Sequence, residues 1–237
     1  MPRWRLLRTY WPDRELNLAL EWALLKLVGQ SACPSTIRIW TNPSCVVIDR
    51  SRRSLAEVRL EACRRLGIPI LRRPTAGGAV YHDEGNLNWT VVAKRKGALK
   101  FLQPSDLEGA AARAITNVLA SYGLGGQHKP SEGVFVGSLK LSGMAMYLAR
   151  DAIMVHGTLL VSANLSSLRE VLYCKYEVAN LLDLLGSGAE LGELEARLAS
   201  SLARAFGVEL VEGGPRLIEL SLASVLKGEV RAWAERK

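Results

Sequence analysis

Arg72-Arg73-Pro74-Thr75-Ala76-Gly77-Gly78-Ala79-Val80-Tyr81-His82-Asp83-Glu84-Gly85-Asn86-Leu87-Asn88 packs two arginines, a small-residue turn, a histidine and a polar run into one segment. Small residues let a backbone lie close to a ligand, and consecutive N–H groups in a tight turn form a concave anion site. Arginine beside such a turn offers carboxylate or phosphate a planar, permanently charged fork. Downstream come Lys140-Leu141-Ser142-Gly143 and then His156-Gly157-Thr158-Leu159-Leu160. Together the three segments point to a site for an anionic, activated-acyl intermediate.

Outward from the loop, Pro69–Leu71 feeds into it as a strand and Leu87–Val92 leaves it as another. Upstream, Arg5–Thr9 reads as a strand. Asp13 stands as an N-cap before Leu16, Ala19, Leu20, Ala23, Leu24 and Leu27 at helical spacing. Ile37–Trp40 and Val46–Ile48 read as short strands split by the turn Asn42-Pro43-Ser44. Ser54-Leu55-Ala56-Glu57 has the capping-box pattern and predicts a helix ending near Gly67. A second box, Ser105-Asp106-Leu107-Glu108, opens an alanine-rich helix stopped by Gly123. After a glycine-rich turn, Val134–Val136, Leu139–Tyr147 and Ile153–Val161 read as an antiparallel meander. Leu191–Phe206 is an amphipathic helix, Val208–Val211 a strand and Leu217–Trp233 a closing helix. This order predicts a single α+β domain over residues 1–237, a mixed, mostly antiparallel sheet flanked by helices.

The chain has 237 residues, 49% of them apolar and 23% charged, enough for a substantial core and unlike a disordered chain. Its formal charge of +8 attracts acidic partners through its field. The cations are spread along the chain, with local clusters at Arg50-Ser51-Arg52-Arg53 and Lys94-Arg95-Lys96, and no nucleic-acid reader motif accompanies them. Cysteines stand at 33, 45, 63 and 174 without a C-x-x-C pair, which fits neither a zinc site nor a disulfide scaffold. Isolated thiols are the expectation, with Cys174 inert in a helix. No leader-type apolar run opens the chain and no uncharged run reaches membrane-spanning length, so the expectation is a cytoplasmic protein.

On the RRPTAGGAVYHDEGNLN run, the K-L-S-G motif and the H-G-T-L-L strand, the sequence resembles the lipoate–protein ligase A family. That family sits within the wider group of biotin and lipoate ligases and lipoyl/octanoyl transferases. Asn17-Leu18-Ala19-Leu20-Glu21 and Asn180-Leu181 match weaker family positions, and similarity runs from about Leu7 to about Leu182. The resemblance implies the catalytic-domain fold of biotin ligases and class II aminoacyl-tRNA synthetases. It also implies a two-step acyl transfer: lipoate and ATP, with magnesium, give lipoyl-adenylate and pyrophosphate. The acyl group then passes to a lysine of a lipoyl carrier domain, in oxo-acid dehydrogenase complexes or the H protein of the glycine cleavage system.

Under that resemblance Lys140 is the catalytic cation. Adenylation forces a carboxylate against an α-phosphate, and a fixed ammonium between them stabilises the developing charge. A surface lysine on a strand is the plainer reading. Arg73 matches the phosphate-contacting arginine, against a salt bridge at a strand end. Thr75, Gly77, Gly78 and Ala79 are expected to lie against the acyl-adenylate, against a bare hairpin turn. His82 would orient an anionic oxygen or be satisfied by the loop backbone. Asn88 would anchor the loop or reach the nucleotide. Ser142 and Gly143 accompany the lysine, and His156, Gly157 and Thr158 line the pocket, with His156 a hydrogen bonder rather than a base. Glu132 is the candidate for magnesium, since the family's Asn-Asp pair appears here as Ser131-Glu132.

Three further departures stand out. Ala76 fills a position usually glycine, mild if its φ is negative and costly if it is positive. Asp49 and Arg52 stand where the family favours glycine and glutamine, which bears on the pocket wall. The sequence ends soon after the catalytic domain, so a separate accessory-domain protein is an expected partner. The competing readings are an ATP-independent lipoyl or octanoyl transferase of the same fold and a non-catalytic acyl- or nucleotide-binding module. The Gly-Arg-Gly-Arg-type loop of biotin ligases is absent.

Overall fold

The computed structural model describes residues 1–95, 103–186 and 189–231. Lys96 of the second basic cluster and residues 232–233 of the expected closing helix lie outside them.

The first strand, β1 (Arg3–Thr9), leads into α1 (Arg14–Gly29), whose N-terminus is capped as expected: the Asp13 carboxylate accepts from the Leu16 N–H at 2.9 Å. β2 (Thr36–Trp40) and β3 (Cys45–Ile48) follow, then a 3-10 turn (Arg53–Glu57), α2 (Leu60–Leu66) and β4 (Ile70–Arg72). β5 (Val80–His82) and β6 (Asn86–Lys94) leave the glycine loop, and α3 (Pro104–Ala120) precedes the meander β7 (Gly126–Lys129), β8 (Gly133–Val136), β9 (Leu139–Leu148) and β10 (Ala152–Leu160). The chain continues through α4 (Leu165–Val171), α5 (Leu181–Leu185), α6 (Leu191–Phe206), β11 (Glu209–Glu212) and α7 (Leu217–Arg231).

The expected fold class holds, but the strands divide between two sheets. Eight run in the order β11-β1-β2-β6-β10-β9-β8-β7, parallel only where β1 meets β11 and β2. β4-β3-β5 form a separate small sheet. One face of the large sheet packs its Ile37, Trp89, Val91 and Val155 against α3 and α6; the other packs Val92 and Met154 against α1 and α7. The small sheet shares a third core with α2 and α4 through Val46, Ile48, Ala62, Cys63, Leu168 and Val171.

Both expected capping boxes are corrected. The Ser54 hydroxyl donates to Asp49 Oδ1 at 2.7 Å and accepts from the Asp49 N–H at 2.9 Å, so it serves its own turn. The helix therefore breaks at Val58, which is extended, and restarts at Leu60 before ending at Gly67. α3 begins at Pro104, with Gln103 as N-cap and Asp106 completing the box. Proline is favoured at the first helical position, and it moves the start upstream of Ser105.

Candidate functional site

Strand register places the motifs side by side. Trp40 pairs with Asn88, Asn88 with Thr158 and Thr158 with Gly143, forming one row across β2, β6, β10 and β9. Two residues along each strand, hence on the same face, lies the row Arg38, Thr90, His156 and Ala145. Above these rows the 73–82 segment and residues 172–178 enclose a cleft of about 550 Å³. Arg73, Gly77, Gly78, Ala79, His82, Asn88, Lys140, Ser142, Gly143, His156, Gly157 and Thr158 all line it, as does Glu132; Thr75 lies beneath it.

Lys140 owes its direction to a β-bulge. The β8–β9 register shifts between Val134, opposite Ser142, and Phe135, opposite Lys140, so Leu141 is the extra residue. A bulge re-aims a side chain. In a regular strand Lys140 and Gly143 would face opposite ways; here a Cβ on Gly143 would stand 3.7 Å from Lys140 Nζ. The ammonium sits 5.2 Å from the Tyr176 ring centroid and forms no ion pair among the described residues. Burial pulls its pKa below the ordinary lysine range, partly offset by Glu132 and Glu57. The Lys140 N–H donates to the Glu177 carbonyl at 2.8 Å, which pins the 172–178 segment against β9.

Arg73 is buried and largely committed to its own loop. Nε donates to Thr75 Oγ1 at 2.9 Å, Nη1 to the Val47 carbonyl at 3.2 Å, and Nη2 to the carbonyls of Ala76 at 3.0 Å and Gly78 at 2.7 Å. Burial lowers its pKa to about 10, with Asp49, Glu21 and Glu57 opposing. Gly77 has φ +111°, and a Cβ there would stand 3.0 Å from Arg73 Nη2, so the turn requires glycine. The Ala79 N–H donates to Glu57 Oε2 at 2.8 Å, a second brace on the loop.

Beneath the loop His156 Nε2 lies 2.8 Å from Thr75 Oγ1, and its Nδ1 lies 2.9 Å from Glu21 Oε1. Glu21 is fully buried on α1; burial pushes its carboxyl up, but His156, Thr90 and Arg38 outweigh that and hold it low. Gly157 faces the opposite side of the sheet, where a Cβ would meet Trp89 Cζ2 at 2.6 Å. His82 is pushed down to about 3 by burial, so its ring is neutral, and it meets Trp40 edge-on at 5.7 Å. Among the described residues His82 Nδ1, both amide atoms of Asn88 and the Ser142 hydroxyl are buried without a hydrogen-bond partner, and all three residues line the cleft. Such orphaned groups cost about 1–3 kcal/mol each unless something hydrogen-bonds them. The cleft is built for a polar ligand with an apolar part, the latter faced by Leu18, Val47 and Val80.

The departures resolve locally. Ala76 is not among the residues with positive φ, so it is unstrained. Asp49 turns away from the cleft: its carboxylate accepts from the Ser51 and Ser54 N–H groups at 2.9 and 2.8 Å. Burial raises its pKa, but bonds from Ser51 and Ser54 bring it to about 2. Arg52 adopts a left-handed φ of 65° at the start of the 3-10 turn, outside the cleft lining. Glu132 lies 3.5 Å from Lys175 Nζ. The described residues hold no cluster of three or more His, Cys, Asp or Glu ligands, and no helix among them is long and apolar enough to cross a membrane.

Three residues were not assigned roles from sequence. Glu21 was legible only as the end of the Asn17–Glu21 run that matches a weaker family position, with no role attached. Glu57 was masked by its capping-box pattern. Cys174 lies in a loop rather than a helix; it is exposed and lines the cleft. Burial raises its thiol pKa, with Arg169, Arg59 and Lys140 opposing.

The lipoyl protein ligase A/B catalytic-domain family matches residues 13–203. The lipoate-protein ligase A of Psychrobacter cryohalolentis is 33% identical over 171 residues, covering 71% of this chain and 47% of that protein; the chain thus spans under half of that relative's length. The octanoyltransferase LipM of Moorella thermoacetica is 26% identical over 269 residues, covering 99% of this chain and 98% of that protein. A lipoate-protein ligase A solved with ATP bound superposes with a TM-score of 0.86 at 25% identity, covering 99% of this chain and 98% of that one. With the family match spanning most of the chain and the glycine loop, bulged lysine and histidine strand meeting in one cleft, this chain belongs to the lipoyl protein ligase A/B catalytic-domain family.

Proposed function

We propose that the chain is an ATP-dependent lipoate–protein ligase. A lipoate carboxylate oxygen attacks the α-phosphorus of ATP, pyrophosphate leaves, and lipoyl-adenylate remains in the cleft. A carrier lysine amine then attacks the adenylate carbonyl, AMP leaves, and the amine proton passes to solvent. The acceptors are lipoyl carrier domains of oxo-acid dehydrogenase complexes and the glycine cleavage H protein.

The supporting observation is Lys140: a part-buried ammonium without an ion-pair partner among the described residues, facing a loop closed by Gly77 and Gly78. Such a cation is stabilised when an anion enters, and it offsets charge in both steps. The unpartnered Asn88 amide and the His82 ring suit the polar linkage and nucleotide, and the apolar wall suits the acyl chain. Magnesium takes one or two carboxylates plus substrate phosphates, and Glu132 on the cleft supplies one such group. When bound with ATP it would neutralise phosphate charge.

Pyrophosphate release from ATP that depends on lipoate, assayed with the chain alone and together with a candidate accessory-domain protein, tests this reading, and an absence of release in both assays overturns it. A second reading, ATP-free acyl transfer, is favoured by Cys174 lining the cleft within the field of Lys140 and by the full-length octanoyltransferase relative. There the thiolate would attack an acyl thioester, expel the carrier thiol, and pass the acyl group to the acceptor lysine. Octanoyl transfer without ATP that is lost in Cys174→Ser would establish that reading instead.

A further inference from the structure

Both ring nitrogens of His156 are engaged, Nδ1 by Glu21 and Nε2 by Thr75, so neither is left to take a proton from a ligand. The Thr75 hydroxyl is equally committed, accepting from Arg73 Nε and sharing a hydrogen with His156. A carboxylate only accepts, so Nδ1 donates to Glu21, and Arg73 Nε donates to Thr75; both of these links in the file Arg73–Thr75–His156–Glu21 run toward the carboxylate. All four residues are buried. A buried guanidinium and a buried carboxylate are thereby joined through a hydroxyl and an imidazole, and chains of this kind strengthen cooperatively in low dielectric. At one end the file is held by α1, and by Trp40 Nε1 donating to Thr90, whose hydroxyl donates to Glu21 at 2.6 Å. At the other end Arg73 Nη2 grips the carbonyls of Ala76 and Gly78 on either side of Gly77.

We propose that Glu21, which lines the cleft and whose Oε2 has no hydrogen-bond partner among the described residues, is a positioning residue of the glycine loop, acting through His156, Thr75 and Arg73. The helix thus sets the shape of a loop more than fifty residues away in sequence. Its bearing on catalysis rests on the ligase reading above; the restraint on the loop does not.

The test compares Thr75→Val, which keeps the shape and removes the hydroxyl, with Thr75→Ser, which keeps the hydroxyl, in the full chain. Amide hydrogen exchange of the 74–80 segment is the primary readout. Thr75→Val is expected to speed exchange there on the order of 10-fold or more, leaving the β9–β10 amides unchanged, while Thr75→Ser keeps the loop protected. Wild-type exchange in Thr75→Val, or equal loss in Thr75→Ser, overturns the proposal by showing that packing alone holds the loop. Should Thr75→Val not fold, Glu21→Gln reads the same segment, with faster exchange expected and unchanged exchange overturning the idea. Pyrophosphate release is measured alongside. If wild type releases none, alone or with a candidate accessory-domain protein, the ligase reading fails, while the exchange result still decides the loop restraint.

Discussion

Charge without a partner is the residue-scale theme of the cleft. Lys140 carries an ammonium that burial disfavours, against a loop whose own arginine is spent on carbonyl groups. The sequence resemblance casts Arg73 as a phosphate fork; four of its five N–H groups already bind the protein, whereas Lys140 forms no ion pair among the described residues and is better placed to meet a ligand. Lys140→Ala is therefore expected to cost about 2.7–4 kcal/mol in adenylate formation, a 100- to 1000-fold fall in kcat measured as pyrophosphate release. Its lowered pKa also has a sign. The charged form is penalised in the folded state, so below the folded pKa that cost is fully present, and it is relieved as pH rises toward the unfolded value. Anion binding needs the charged form, so lipoate or ATP affinity should fall as pH rises through a value below 10.5, the free-lysine pKa. In Lys140→Arg, where the group does not deprotonate, calorimetry over the same pH range should show that decline removed. The motif residues were legible because glycine, arginine and lysine announce their chemistry locally. The role of Glu21 was not, because it sits on α1 while its partner His156 lies on β10, and only the tertiary fold joins them.

At the scale of elements, periodicity identified what is long and regular and failed where side chains serve turns. Leu191–Phe206 matches its expected bounds because its apolar stripe is unambiguous. β5 and β7 are only three and four residues long, and β7 opens on glycine, so no alternation marks them. Ser54 was misread because the pattern shared by a capping box and an Asp-held turn leaves the hydroxyl's partner undetermined. The H-G-T spacing shows what an element adds to a motif: alternation sends His156 and Thr158 to the cleft and Gly157 to the helical layer behind it. Gly157→Ala should consequently harm the fold rather than the chemistry. Its Cβ would meet the Trp89 ring at 2.6 Å and the Gly143 carbonyl at 2.5 Å, a clash worth about 1–3 kcal/mol. Chemical denaturation should show that loss as a lower midpoint with an unchanged slope, and an unchanged midpoint would show that β10 shifts to make room.

For the molecule as a whole, the division of strands between two sheets was beyond sequence reading, since β3 leaves the large sheet immediately after β2 and pairing is non-local. The same non-locality closes the fold. β11 adds to the edge of β1, and α7 returns to pack on α1, where Lys227 reaches Asp13 at 2.6 Å. The deepest tie is the buried pair between Arg5 on β1 and Glu219 on α7. Nη2 donates to Oε1 at 2.6 Å, Nη1 donates to Oε2 at 2.9 Å, and Nε and Nη2 also reach Thr36 Oγ1. Because α1 carries Glu21 on one face and meets α7, the C-terminal closure bears on the floor of the cleft. Glu219→Gln keeps the shape of the side chain but leaves the Arg5 charge buried and uncompensated, at a cost of about 3–5 kcal/mol. For a chain of this size that lowers Tm on the order of 10 °C. Replacing both partners with apolar residues should recover much of the loss, because the penalty lies in the stranded charge. A melting curve for Glu219→Gln that matches wild type would mean that solvent reaches Arg5 and that α7 is held by its apolar face alone.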